Sequence, residues 1–216
     1  SGVLRAEHRP HLDGLRAVAV YLVVAFHADV GVLSGGFIGV DVFFVLSGYL
    51  VTQVLLRDLA SHDRIRLRRF YARRYRRLLP AAFVALVVTS LAFVLVATAS
   101  EVSDATSAFR ASFLYFANWH FIGQSSDYFA AGIDRSPVIH FWSLAVEEQF
   151  YVVWPLLLGG MFAASRRFGA WRLRIVRTTV AFAALVSVAA ALRISGSDLE
   201  RAYYGSDTRA YQLLAG

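Results

Sequence analysis

The sequence predicts an all-α, polytopic transmembrane bundle of about five spans plus the start of a sixth, with one re-entrant or interfacial helix on the outer face. Three observations carry that prediction. Hydrophobic residues make up 57% of the 216 and charged residues only 17%, against about 45–50% and about 25% in soluble domains. Apolar runs near the roughly 20 residues that cross a bilayer recur along the chain. All 22 basic residues are arginine, and the net charge of +7 sits mainly in clusters between those runs. That placement favours a membrane surface over nucleic acid as the anionic partner. Cysteine is absent, which excludes disulfides, cysteine-ligated zinc, iron–sulfur clusters and thiol catalysis.

The predicted spans are Leu15–Leu33, Ile38–Leu56, Leu78–Ala97, Leu144–Ala164 and Ile175–Ile194. The third carries no charge from Leu78 to Ser100, whereas the first, second and fourth contain ionisable residues. Tyr211–Gly216 reads as the first turn of a sixth span. The rival for residues 1–28 is a signal peptide, because Ala17–Phe26 has the length of its apolar core. Four further spans favour a retained anchor. The chain opens on Ser1, so the natural N-terminus is expected upstream.

Orientation follows from arginine. Nine arginines from Arg57 to Arg77 face only Asp58 and Asp63, and five from Arg166 to Arg177 face no acid. Ala99–His140 carries Arg110 and Arg135 against four acids. Arginine-rich short loops stay in the cytoplasm, which puts the N-terminus and both arginine loops inside and Ala99–His140 outside. Thr106–Ile122 is apolar enough to compete as a span, but counting it would put Arg166–Arg177 outside. It is therefore predicted as the outer re-entrant or interfacial helix, with Tyr115, Trp119 and Tyr128 at headgroup level. Ser195–Asp207 reads as a polar outer loop.

Ionisable groups within spans are expensive and usually face the bundle interior, so they are the candidate site residues. Arg16 and His27 are eleven residues apart, about three helical turns, which puts them on one face about 16 Å apart along the axis. Two readings stand. One is an interfacial anchor plus a satisfied histidine; the other is a basic entrance leading to a general base, a role suited to an imidazole of pKa near 6.5. Asp41, Gly48 and Thr52 share a face of the second span. Glycine there permits close helix contact. Asp41 either complements the helix dipole or orients His27.

In Phe70–Pro80, Arg73, Arg74, Arg76 and Arg77 cover much of a helix circumference. They are either a solvated basic face that retains the loop inside, or a set of which one or two turn inward to bind phosphate. The segment His140–Pro155 opens an apolar span with the adjacent pair Glu147 and Glu148 and with Gln149. The two glutamates point about 100° apart, so one at most faces a site squarely. No HExxH metal spacing and no GxSxG elbow is present.

Together these segments resemble the membrane acyltransferase-3 family, which O-acylates surface polysaccharides and glycolipids. The resemblance rests on Arg16 and His27 at an arginine, ten residues, histidine spacing, and on Gly39–Leu50 (GVDVFFVLSGYL). It rests also on Phe70–Pro80 (FYARRYRRLLP), His140–Tyr151 (HFWSLAVEEQFY), and Asp207-Thr-Arg209 with Leu213–Gly216. It covers most of the chain, in the family's order. It implies a bundle of about ten spans, so the chain is expected to be the N-terminal part of one longer acyltransferase domain. It implies a multi-pass protein of the bacterial plasma membrane with a cytoplasmic N-terminus and no permanently bound cofactor. The implied donor is cytoplasmic acetyl-CoA or another acyl-CoA, and the acceptor an extracytoplasmic glycan or glycolipid hydroxyl, in contact with membrane lipids and without nucleic acid. Carried over by residue, His27 is the catalytic histidine, Arg16 its motif partner, and Glu147 or Glu148 the acidic member. Arg73 and Arg76, or Arg74 and Arg77, bind the donor. Asp41 or a glutamate could steady the imidazolium. An ion- or proton-coupled transporter and a non-catalytic assembly protein are the rival classes, because both also use buried charge.

Overall fold

A computed structural model describes residues 10–28, 35–125 and 136–216, with the side chains of His27 and Ser125 outside the description. No strand occurs among them. Helix α1 spans Pro10–His27, α2 Ile38–His62 and α3 Leu67–Val96. The predicted first span, Leu15–Leu33, runs on into residues outside those described. The turn between α2 and α3 is held by Asp58, whose carboxylate accepts from Arg66 N at 2.5 Å and Arg66 Nε at 2.8 Å. Asp63, at φ 52, supplies the left-handed residue that ends α2. The sequence places the second and third spans at Ile38–Leu56 and Leu78–Ala97, and the helices run well beyond both. The arginine-rich stretch continues each helix past the apolar core, so α3 reaches 30 residues, about 45 Å.

After α3 the chain forms α4, Ala99–Phe113, and α5, Ala117–Ser125. Thr98 and Glu101 form a reciprocal capping box at the start of α4. Thr106–Ile122 is thus not one helix. Tyr115 adopts φ 56, a left-handed conformation that breaks it. With 15 residues, α4 is about 22 Å long, short of the roughly 30 Å hydrocarbon core. The Tyr115 carbonyl accepts from Gln149 Nε2 at 2.8 Å, and Trp119, whose ring is exposed, donates from Nε1 to Gln149 Oε1 at 3.2 Å. Tyr128 lies outside the described residues.

Helix α6, Phe141–Ala164, and helix α7, Arg172–Ser195, have 24 residues each. A 3-10 segment, Ser165–Trp171, joins them and turns at Gly169 with φ 50 and ψ −119. These match the predicted fourth and fifth spans within a turn. Among the described residues, three helical runs are long and apolar enough to cross a membrane: Ile38–His62, Leu67–Val96 and Phe141–Ser195, the last being α6 and α7 together. Their outward faces are apolar, with Phe83, Val88, Leu91 and Leu95 on α3 and Phe182, Leu185 and Leu192 on α7 exposed, as a lipid-facing surface requires. Ser195–Asp207 is not a plain loop. It holds α8, Leu199–Tyr204, whose start is capped by Asp198 accepting from Arg201 N at 2.8 Å.

Helix α9, Ser206–Ala215, packs against both α2 and α7. Gly48 makes this possible, because a Cβ there would collide with the Leu213 carbonyl oxygen. The predicted close-contact face of α2 is therefore real, and Thr52 on that face accepts from Trp154 Nε1 at 2.9 Å.

The two arginine loops meet at one end of the bundle. Arg166 Nη2 donates to the Asp63 carboxylate at 2.8 Å and to the Asp63 carbonyl at 2.9 Å. The start of α6, α5 and the start of α9 meet at the other end, through fully buried Asn118. Asn118 donates to Ser206 Oγ at 2.9 Å and accepts from Gln149 Nε2 at 2.9 Å. This common end for both basic loops is the arrangement the charge pattern predicts.

Candidate functional site

A cavity of about 660 Å³ opens at the arginine end between α1, α2, α3 and α6. Its arginines are Arg16 from α1, Arg57 from α2, Arg66 from the turn and Arg73, Arg74 and Arg77 from α3; its carboxylates are Asp58 and Glu147. Asp58 is already paired with Arg66 at 2.8 Å, so most of the positive charge is uncompensated. Ser47 also lines the cavity and lies ten residues before Arg57, about 15 Å along α2. The cavity therefore runs from a basic rim toward mid-depth of the bundle. Positive walls of low dielectric concentrate field on an anionic ligand.

The helix phase of α3 selects among the four candidate donor arginines. Arg73, Arg74 and Arg77 border the cavity, and Arg76 does not. Arg76 donates from Nε to the Ala72 carbonyl of its own helix at 3.2 Å and lies on an outer surface with Arg68 and Arg69. Arg74 and Arg77, one of the two proposed pairings, thus lie on the cavity together with Arg73, whereas the other pairing, Arg73 with Arg76, is divided. The guanidinium of Arg74 stacks over the Tyr151 ring, with Cζ 3.3 Å from the centroid. Its buried Nε has no partner among the described residues.

The glutamate pair separates in the same way. Glu147 borders the cavity and accepts from Ser47 Oγ at 2.7 Å. Tyr151 Oη lies 3.2 Å from its other oxygen. Glu148 is 5% exposed, does not border the cavity, and leaves Oε1 without a hydrogen-bond partner among the described residues. A turn of about 100° per residue is what divides them.

Arg16 reaches the cavity. His27 closes α1, but its side chain lies outside the described residues. The described partners of Asp41 are on α9: Arg209 Nη1 donates to Oδ1 at 3.0 Å and Gln212 Nε2 at 2.8 Å. Sequence reasoning missed Arg57 and Arg66 on the cavity wall, and Ser47 and Tyr151 beside Glu147. Tyr151 had a signal: it stands four residues after Glu147, on the same helix face.

A family model described as an acyltransferase domain matches residues 9–208. The chain is 42% identical over 208 residues to the peptidoglycan O-acetyltransferase OatA of Listeria monocytogenes, covering 96% of this chain and 33% of that protein. It is 40% identical over 208 residues to the putative peptidoglycan O-acetyltransferase YrhL of Bacillus subtilis, covering 96% and 32%. A putative O-acetyltransferase of Staphylococcus aureus, SAS0844, is 36% identical over 212 residues, covering 98% and 34%. The chain thus spans about a third of the length of the curated relatives it matches. No solved structure matches it significantly.

Proposed function

The chain belongs to the acyltransferase-3 family, and on that footing we propose that it forms the donor-binding part of a bacterial plasma-membrane O-acyltransferase. The donor is cytoplasmic acyl-CoA, in the first instance acetyl-CoA. The acceptor is a hydroxyl of an extracytoplasmic cell-wall glycan, which is the acceptor class in the printed names of the relatives from Listeria and Bacillus.

The observation that carries this reading is the arginine cavity. A CoA molecule brings phosphates to the membrane face, and arginine binds phosphate through paired, charge-assisted hydrogen bonds. Arg73, Arg74 and Arg77 hold those phosphates, so the thioester points inward along the cavity toward Glu147 and the α1 stripe that carries Arg16. His27, farther along that stripe, meets the acceptor from the opposite side. As the acceptor oxygen attacks the thioester carbonyl, His27 takes the hydroxyl proton. The C–S bond breaks, the ester C–O bond forms, and the proton ends on the CoA thiol. Alternatively the acyl group rests on the imidazole before the alcohol takes it, with the same balance. Asp41, held by Arg209 and Gln212, anchors α9 beside α2.

The test is mass spectrometry of the cell-wall glycans from cells with and without the full-length gene. Loss of O-acyl esters on deletion, and their return on complementation, is the expected result. Identical ester content in both strains would end the reading.

A further inference from the structure

The inner end of the cavity carries a closed ring of three polar groups from two helices. Tyr151 Oη donates to Ser47 Oγ at 2.6 Å, Ser47 Oγ donates to Glu147 Oε1 at 2.7 Å, and Tyr151 Oη also lies 3.2 Å from Glu147 Oε2, which can accept from it. Each hydroxyl has one hydrogen to give. With Glu147 ionised, Tyr151 gives its hydrogen to Ser47 and Ser47 gives its own to the carboxylate. With Glu147 protonated on Oε2, that hydrogen goes to Tyr151 Oη, and the ring runs in the same sense. Neither state leaves a donor facing a donor: in the ionised state Glu147 Oε2 and Tyr151 Oη meet with no hydrogen between them, and the added proton fills that contact without a hydroxyl reversing.

The ring is also rigidly held. Ser47 is 6% exposed and Tyr151 2%. Ser47 precedes Gly48, which is seated against the Leu213 backbone. The face of the Tyr151 ring is covered by the Arg74 guanidinium.

We propose that Ser47 and Tyr151 are positioning residues, which hold the Glu147 carboxyl on the cavity wall in a geometry that takes up and releases one proton in each acyl transfer. This rests on the acyltransferase function proposed above. Transfer moves one proton from the acceptor hydroxyl to the departing thiolate. Glu147 gives its proton to the CoA sulfur as the C–S bond breaks, and regains one from the proton released by the hydroxyl.

The experiment uses the full-length protein in lipid nanodiscs, with acetyl-CoA as donor and unacylated cell-wall glycan strands as acceptor, across a range of pH. Ser47→Ala and Tyr151→Phe are each expected to lower kcat about 10-fold or more, the size of a lost hydrogen bond to a charged group. KM for acetyl-CoA stays within about twofold, because the phosphate contacts are elsewhere. Since one chain is cut twice, Ser47→Ala/Tyr151→Phe loses little more than the worse single variant. The pH–rate profile of each single variant is displaced from that of the wild type. Tyr151→Phe keeps the ring under Arg74, so it answers the question even if Ser47→Ala folds poorly. Wild-type kcat in both variants overturns the proposal, as do losses that multiply and scale the pH profile without moving it. In either case wild-type turnover leaves the acyltransferase function standing. No turnover by the wild type overturns both.

Discussion

Replacing His27 by alanine in the full-length protein is expected to lower acyl transfer about 10²–10⁴-fold, the usual contribution of a positioned general base. Donor affinity is expected to stay within about twofold of wild type. The two halves of this result come from the geometry of α1. The helix is continuous from Pro10 to His27, so Arg16 and His27 share a stripe about 16 Å long. Arg16 borders the arginine cavity, whereas His27 lies three turns deeper. Removing the imidazole therefore deletes chemistry and spares phosphate binding. Label transfer from acetyl-CoA to glycan, together with equilibrium binding of CoA, separates the two. Transfer at the wild-type rate and at normal expression would remove His27 from the mechanism.

Replacing Gly48 by valine is expected to destabilise the bundle by about 3 kcal/mol or more, at the upper end for overpacking. The Cβ atom would sit on the Leu213 carbonyl oxygen of α9 and close to its backbone carbon. Backbone cannot swing aside as a side chain can, so α9 must move as a unit. A second close approach, between Gly216 and the Val45 carbonyl, pins the same crossing and prevents a small adjustment. Displacing α9 also separates Asp41 from Arg209 and Gln212. Gly160→Ala is the control, because no heavy atom outside its own helix lies within 4 Å of a Cβ there. Thermal unfolding in detergent is expected to show a large drop for Gly48→Val and almost none for Gly160→Ala. Equal midpoints would mean that α2 and α9 are not in close contact.

The spans were legible because the bilayer imposes length and hydropathy together. Leu144–Ala164 and Ile175–Ile194 correspond to α6 and α7 within a few residues. Helix ends outside the apolar core were not legible: α3 continues through eleven residues before Leu78, where hydropathy gives no signal and only helix propensity remains. The break at Tyr115 was silent too, since Leu114-Tyr115-Phe116 holds no glycine or proline and the left-handed turn is a tertiary outcome. At the site, residue types were readable but their facing was not. Adjacent glutamates differ only by helix phase, and it is Ser47, one hundred residues away, that distinguishes Glu147 from Glu148. Asp41 gave the same difficulty, since Arg209 stands 168 residues from it. Among the arginines, the α3 phase that turns Arg76 away from Arg73, Arg74 and Arg77 depends on where α1, α2 and α6 pack.

In the mechanism proposed above, the cavity arginines hold the donor's phosphates. The most direct test of this is equilibrium binding of CoA to the purified full-length protein at several salt concentrations. Salt-dependent binding by the wild type is expected. Replacing Arg73, Arg74 and Arg77 together by alanine should weaken it at least about 100-fold, since each charge-assisted contact is worth about 1.5–3 kcal/mol. Arg76→Ala should remain within about twofold. Undiminished CoA binding by the triple variant, or equal weakening by Arg76→Ala, would contradict it.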